Sequence, residues 1–290
     1  MMGRFPQPPL RTQRGFTLIE AIMVIVIIGI LGAIVAVFIR APIQGYVDTV
    51  ARAEASDEAD LALRRMARDI RMALPNSVRV NAGGTAIEFL MTRTGGRYLS
   101  VEDEATGGTP LSFTDAGALS FSVVGTLTQP VAANDFIAVF NLGLPGADAY
   151  ETNSPVLSQV AAPVAANAVA PLITLRSNRF VQAVPAPSPD ARFQVVSGPV
   201  SFVCEIAPNG GLQLRRYAGY AITPAMAVPP VGGQAAMLAA RVASCTNLFR
   251  AENVASTRAG LVVMSLSLRT RNIADPAVRL VHQVRVDNTP

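Results

Sequence analysis

An uncharged run near the N-terminus places the strongest constraint on how this chain can fold. Residues 21–39 are 19 consecutive residues without a charged side chain. At a rise of about 1.5 Å per residue, a helix of this length spans the ~30 Å hydrocarbon core of a bilayer. Three arginines precede the run, and the positive-inside bias keeps such a flank in the cytoplasm. The sequence therefore predicts a transmembrane helix over residues 16–40, with the residues that follow on the far side of the membrane.

The charge of the chain gives little support to nucleic-acid binding. The formal net charge is +4, and three of these charges, Arg4, Arg11 and Arg14, lie ahead of the apolar run. Without them the remainder carries only about one positive charge, and it shows no basic stripe interleaved with aromatic residues. We therefore expect no nucleic-acid partner.

A helical pattern continues beyond the membrane span. Apolar residues recur at spacings of three and four as far as Leu74, which predicts an amphipathic helix over residues 41–74. We expect ion pairs from Asp60 to Arg64 and from Arg65 to Asp69, because charges four residues apart are neighbours on a helix. A proline after Leu74 ends the pattern, since it disfavours the helical state of the residue before it.

Residues 75–290 are predicted to form a β-rich domain. Seven segments are rich in strand-forming residues, and several alternate between apolar and polar: "AIEFLM", "ALSFSVV", "DFIAVF", "VSFVCEI", "LQLRRYAGY", "LVVMSLSLRT" and "VRLVHQVRV". Together with the helix they predict an α+β fold, in which a long N-terminal helix packs on an antiparallel sheet. Residues 143–171 are predicted to be a surface excursion, and a division into two sheet subdomains near them stays open.

Two cysteines, Cys204 and Cys245, lack the paired spacing of a zinc site. One disulfide suits an exported protein, and two buried free thiols are the alternative.

No residue pattern predicts catalysis. The only histidine, His282, falls on an apolar strand face, where a packed or interface residue is commoner than a base. The acidic run of residues 102–104 is predicted to be a solvated loop, because its spacing does not match an EF-hand. We therefore expect no catalytic residue, no metal site and no cofactor, and we predict that the chain is not an enzyme.

The start of the apolar run, "RGFTLIEAIMVIVIIGIL", resembles the N-terminus of type IV pilins and pseudopilins. The resemblance implies that residues 1–15 are a leader, which prepilin peptidase removes by cutting between Gly15 and Phe16. It further implies N-methylation of Phe16 and an assembly role for Glu20, whose carboxylate would compensate the N-terminal amine of a neighbouring subunit. Many major pilins carry a proline within the run, whereas the first proline after this leader is Pro42.

A second resemblance covers more of the chain. The segments "RRMARDIRMALPNSVRV", "PVSFVCEI", "LRRYAGY" and "VRLVHQVRVDNTP" are similar to the MshO family of minor pilin-like proteins of MSHA pilus biogenesis. It implies a disulfide from Cys204 to Cys245 and a periplasmic domain over residues 75–290. It also implies an inner-membrane anchor that later joins a pilus or its base. The implied partners are prepilin peptidase, other major and minor pilins through the N-terminal helix, an inner-membrane assembly platform and membrane lipid.

Three alternatives stay open at this stage. A large minor pseudopilin of type II secretion would share the N-terminal motif and a similar end of the helix. A membrane-anchored adhesin or DNA-uptake protein would share the anchor and would need an exposed aromatic or arginine patch. A secretory signal peptide would need a run of small residues suited to cleavage, and "VFIRAPIQGY" provides a poor one.

Overall fold

The computed structural model describes residues 15–103, 107–252, 259–271 and 276–289. The chain falls into two compact units, Met1–Ala51 and Arg52–Pro290. The described residues form one helix, α1, over Leu18–Arg71. They also form twelve strands: β1 Arg79–Val80, β2 Ala86–Tyr98, β3 Ser120–Val124, β4 Phe136–Ala138, β5 Leu157–Gln159, β6 Leu172–Thr174, β7 Arg192–Ile206, β8 Leu212–Ala218, β9 Gln234–Val242, β10 Phe249–Glu252, β11 Ala259–Leu268 and β12 Val278–Asp287.

The long N-terminal helix is confirmed, and it runs without interruption past Pro42. It ends at Arg71 instead of Leu74, three residues earlier than the sequence predicts. The cause is competition from the sheet: Ala73 forms a bridge with Met91, and the amide of Leu74 donates to the carbonyl of Leu90 at 2.8 Å. The helix therefore ends four residues before Pro75.

The strands form an antiparallel sheet in the order β10-β11-β9-β8-β7-β2-β3-β6. Strand β12 pairs with β11 along its whole length, on the edge opposite β10. Strand β1 adds to β2, and β4 links β7 to β5. The predicted α+β class, a helix with an antiparallel sheet, is confirmed.

The first core lies between the sheet and the part of α1 that follows Ala51. The buried helix residues are mostly small, which lets the helix approach the sheet closely: Ala55, Ala59, Ala62, Leu63, Met66, Ala67 and Ile70. Alternate residues of β11 from Val262 to Leu268 are fully buried beneath it, as their alternation with polar residues predicts. The rings of Phe89 and Phe202 add aromatic bulk to this core, with centroids 6.0 Å apart.

Ion pairs also join this part of α1 to the sheet. The Asp69 carboxylate accepts from the Arg216 guanidinium of β8 at 2.7 Å. The predicted pair of Arg65 with Asp69 is therefore replaced by a contact across 147 residues, whereas the predicted pair of Asp60 with Arg64 forms at 2.8 Å. A partly buried guanidinium on the facing sheet binds Asp69 better than an exposed neighbour on the same helix, because water screens it less.

A second core lies at the far ends of β2 and β7. The register between these strands shifts at Thr92, and beyond this irregularity they cover a different set of aromatic residues. The rings of Phe121 and Phe193 meet edge to face at 5.5 Å. The two cores are therefore joined by continuous strands within the unit Arg52–Pro290.

Residues 143–171 are not wholly a surface excursion. They contain β5, which pairs with β4, and both Leu157 and Ser158 are buried. Strand β5 has three residues, too few to show an alternating pattern in the sequence. Its conformation is set by pairing with β4, and not by the intrinsic propensity of its residues.

The connection between β8 and β9 folds back over the sheet. Tyr220 and Met226 pack against a small buried cluster formed by Ala86, Val203 and Tyr217. The guanidinium of Arg79 donates to the carbonyl oxygens of Thr223 and Pro224, at 2.9 and 2.6 Å. The connection between β8 and β9 is thus held at defined points.

Candidate functional site

The residues before the helix form an exposed N-terminal segment. Gly15, Phe16 and Thr17 have no regular secondary structure, and the Phe16 side chain is 82% exposed. Apart from its chain neighbours, no described residue has an atom within 4 Å of where a Cβ on Gly15 would stand. Residues 1–14 of the predicted leader lie outside the described residues. The peptide bond between Gly15 and Phe16 is therefore open to an enzyme as far as the described residues are concerned.

Thr17 caps the start of α1. Its hydroxyl oxygen accepts from the backbone amide of Glu20 at 3.3 Å, and its carbonyl accepts the first helical bond from Ala21 at 3.2 Å. The order Thr17-Leu18-Ile19-Glu20 is that of a capping box, of which the described residues form the half made by the Thr17 hydroxyl. This cap explains why the helix begins where it does.

Glu20 places a carboxylate in the first turn of α1. The partial positive charge at a helix N-terminus favours an acid there by about 0.3–1 kcal/mol. Within the part of the chain that the structure describes, no hydrogen bond or ion pair engages this carboxylate. The side chain is therefore available to a cation from outside the described residues.

The helix that follows Glu20 has an apolar surface on all sides. Ile25, Val37 and Phe38 are each at least 70% exposed, and the other large apolar side chains from Ile22 to Ile39 are 44–63% exposed. By length and composition, α1 could cross a membrane. A surface of this kind needs lipid or protein around it, because exposed apolar area costs about 25 cal/mol per Å² in water. The segment is compatible with the single-pass anchor of a pilin.

Cys204 and Cys245 form a disulfide in the unit Arg52–Pro290. Their Cα atoms are 5.5 Å apart and 41 residues separate them in sequence. Neither cysteine is free, so the structure contains the disulfide and not the alternative of two buried free thiols. The bond joins β7 of the central sheet to the turn that leads into β10.

The remaining residues with chemical potential are dispersed. His282 is half-buried in β12, opposite Met264 of β11. Arg97 binds the Asp103 carboxylate, and this hydrogen bond lowers the pKa of Asp103. Of the predicted solvated acidic run, Asp103 is thus tied to strand β2, while residue 104 lies outside the described residues. Among the described residues, no three His, Cys, Asp or Glu side chains are grouped as a metal site would require.

Sequence reasoning missed two polar contributions. The capping role of Thr17 could have been found, since the spacing of threonine and glutamate is visible in the sequence. The contact of Glu58 could not: its carboxylate accepts from the amide of Ala240 at 2.8 Å and from the Arg241 guanidinium at 2.9 Å. No local pattern links residues so far apart in sequence.

Comparison with known families finds one match. The family model described as the prokaryotic N-terminal methylation motif matches residues 10–36, which include Gly15, Phe16 and Glu20. The match supports a type IV prepilin-like protein, a class that prepilin peptidase processes and that assembles with other pilins. It also suggests a structural, non-enzymatic subunit. Comparisons with curated proteins and with solved structures give no match.

Proposed function

We propose that this chain is a minor pilin-like subunit of an MSHA-type type IV pilus, and that it enters or initiates the filament. Prepilin peptidase cuts between Gly15 and Phe16, and the new N-terminal Phe16 is methylated. The observation that carries the proposal is the match to the methylation motif over residues 10–36. This motif includes the start of the apolar helix α1, which Thr17 caps.

The proposed cut changes the electrostatics of the helix start. It creates an α-amine at Phe16, one residue before the cap at Thr17. A cation close to the positive end of a helix dipole is unfavourable unless an anion compensates it. Glu20 carries the anion nearest to this position in sequence. The cut therefore produces a pair of opposite charges at the edge of an apolar segment.

Glu20 acts in this proposal between subunits. A lone carboxylate costs about 2.5–3.5 kcal/mol at the centre of a membrane helix, and leaving one member of a buried pair alone costs about 3–5 kcal/mol. When the Glu20 carboxylate of an incoming subunit meets the Phe16 amine of its neighbour, both penalties are relieved. Because only one axial offset brings the two groups together, the pair also sets the register of the filament.

The proposed location follows from the charge asymmetry. The basic residues of the leader stay in the cytoplasm, α1 anchors the chain in the inner membrane, and residues 75–290 lie in the periplasm until assembly. An oxidising periplasm is consistent with the disulfide between Cys204 and Cys245. The partners are then prepilin peptidase, other pilins, membrane lipid and an inner-membrane assembly platform.

Mass spectrometry of the N-terminal peptide from the native host tests the proposal. We expect methylated Phe16 as the first residue. A Gly15→Val variant should keep its leader, whereas Gly29→Val should be processed normally, because Gly29 also has open space around it but lies inside the helix. An intact Met1, or a chain cut after Ala41, would contradict the proposal.

Assignment to a pilus, as opposed to type II secretion, needs a separate measurement. The chain should be recovered from sheared surface pili, and deletion of the major pilin should remove it from that fraction. Loss of protein secretion with unchanged pili, on deletion of this chain, would favour a pseudopilin instead.

A further inference from the structure

The part of α1 from Glu54 to Arg71 has an exposed face whose charges fall into two groups. Two exposed acids, Glu54 and Asp57, come first, and exposed arginines follow at positions 64, 65, 68 and 71. Leu61 lies between the two groups and is 71% exposed. Most of these positions are three or four residues apart, so they share one side of the helix, opposite the small residues that pack on the sheet. We call this side the outer face of α1.

Contacts within the chain satisfy only part of this charge. Asp60 binds Arg64 at 2.8 Å, and Glu54 binds Arg271 at 3.3 Å. Within the part of the chain that the structure describes, no hydrogen bond or ion pair engages Asp57 or the arginines at positions 65, 68 and 71. Like charges three and four residues apart repel one another on a helix. The arginines of the outer face are therefore suited to an acidic partner.

The acidic and basic groups are separated by a whole number of helical turns. Asp57 precedes Arg68 by 11 residues, and the same step leads from Leu61 to Met72, which is 42% exposed. Eleven residues make almost three turns, so this step returns to the same side of the helix ~16.5 Å further along it. The outer face is therefore complementary to a copy of itself that is displaced by this distance.

The same pattern opposes a contact between copies at equal height. In the proposed function every copy is anchored through the same end of α1, so neighbouring helices run parallel. At equal height the arginines of one copy face those of the other, and like charges across an interface are unfavourable. With a displacement of about 11 residues, Arg68 meets Asp57 and Leu61 meets Met72 instead. The charges thus reject one arrangement and favour the other.

We propose that the outer face of α1 binds the outer face of a second copy of this chain, parallel to it and displaced by about 11 residues. Asp57 of one copy then lies against Arg68 of the other. This inference rests on the proposed function, since it presupposes that subunits assemble in one direction.

The displacement distinguishes assembled copies from copies in the membrane. Two anchored copies lie at equal depth, so the contact needs one of them to be raised by ~16.5 Å. The contact therefore forms as a subunit leaves the lipid. The proposed pair of Glu20 with Phe16 needs a smaller displacement, so it involves a different neighbour of the same subunit.

The contact selects a position more than it adds affinity. Ion pairs in water contribute little, because solvent screens them and their side chains lose freedom. Reversing one charge has a larger effect, since it replaces attraction with repulsion at the centre of the face. Charge reversal is therefore the more sensitive test.

Cysteine cross-linking in the full chain tests the displacement. Both native cysteines are in the disulfide, so a variant with Leu61→Cys and Met72→Cys adds two thiols and keeps every charge of the outer face. These positions lie ~16.5 Å apart along one helix, so a short bifunctional thiol reagent links them only between copies. We expect linked dimers in sheared filaments and at least about tenfold fewer in the membrane fraction.

The two single variants, Leu61→Cys and Met72→Cys, are the controls for cross-linking. At the proposed displacement neither position meets its own counterpart in the second copy. Each single variant should therefore be incorporated into filaments without forming linked dimers.

Charge reversal tests the identity of the partner. Asp57→Arg and Arg68→Asp should each lower incorporation into filaments by at least about tenfold, because like charges then face each other. The variant with both changes restores opposite charges between two copies, and its incorporation should return to within about twofold of the wild type. The control is Arg285→Asp on β12, which changes another exposed arginine and should stay within about twofold. All four variants should resist proteolysis like the wild type.

The outcomes separate the two proposals. Linking between positions 61 and 72 in filaments, together with rescue by the double reversal, supports the contact. Equal linking in the membrane fraction, normal incorporation of both single reversals, or a double reversal that does not rescue overturns it and leaves the pilin assignment intact. Absence of the unmodified chain from the filament fraction overturns both proposals.

Discussion

The disulfide should account for a large share of the stability of the unit Arg52–Pro290. The test variant replaces both Cys204 and Cys245 with alanine, which removes the bond and leaves no free thiol. The closed loop of about 41 residues contains β8, the connection over the sheet and β9. Without the bond, this whole stretch gains freedom in the unfolded chain.

The expected magnitude follows from the loop length. In the chain-entropy description, closing a loop of ~41 residues removes about 13 cal/mol/K from the unfolded state, or about 4 kcal/mol at 25 °C. Native disulfides lost from small domains typically cost about 2–5 kcal/mol, so this value lies within the usual range. Alanine at the buried Cys204 removes only one sulfur atom from the core. We therefore expect the free energy of unfolding to fall by about 4 kcal/mol.

Urea unfolding of the full chain in a mild detergent measures this loss. The chain has no tryptophan, so the far-UV circular dichroism of the sheet is the suitable signal. With an m-value of ~2–3 kcal/mol/M, the midpoint should fall by roughly 1.3–2 M. A reductant should lower the wild type to the level of the double variant and leave the variant unchanged. A loss below about 1 kcal/mol with an unchanged m-value would refute the loop-closure reasoning.

Three further perturbations have defined outcomes. Gly84→Ala should lower the free energy of unfolding by more than about 1 kcal/mol in the same urea assay, because Gly84 has φ +61° and a Cβ there would lie 2.7 Å from a backbone oxygen. The control is Gly83→Ala, where a Cβ would have no contact closer than 3.5 Å, and its free energy of unfolding should stay within about 0.5 kcal/mol of the wild type. Burial raises the pKa of Tyr220 in the folded protein. The contribution of Tyr220 to the free energy of unfolding is therefore full below its unfolded-state pKa of about 10, and it is lost as the pH rises toward its folded-state pKa. Unfolding free energies at pH 8 and pH 11 should differ less in Tyr220→Phe than in the wild type. Glu20→Ala should be processed normally but incorporated into filaments at least about tenfold less well than the wild type. The control is Asp48→Ala, which removes another acid of the same helix and should be incorporated normally. Normal incorporation of Glu20→Ala would contradict charge pairing between subunits.

The elements that could be predicted are those whose sequence signal is local. Apolar and polar residues alternate from Met264 to Leu268 in β11 and from Val284 to Asp287 in β12. The structure buries alternate residues of β11 from Val262 to Leu268. The N-terminal motif is equally local, because Gly15, Phe16 and Glu20 lie within six residues of one another. Interactions between residues close together in the chain impose a local pattern of residue types, and such a pattern can be recognised in a single sequence.

Contacts between distant residues left no such pattern. Asp69 has an arginine four positions earlier, yet it pairs with Arg216 of β8. The helix ends at Arg71 because the next residues pair with β2, and only the fold brings that strand near. The choice among partners in these cases depends on burial and distance, which are properties of the folded chain.

The failure to predict β9 has a different physical cause. Strands on the surface of a domain normally alternate because one face meets the core and the other meets water. Residues 234–237 of β9 are exposed on both faces and carry mostly small, uncharged side chains, so no such alternation arises.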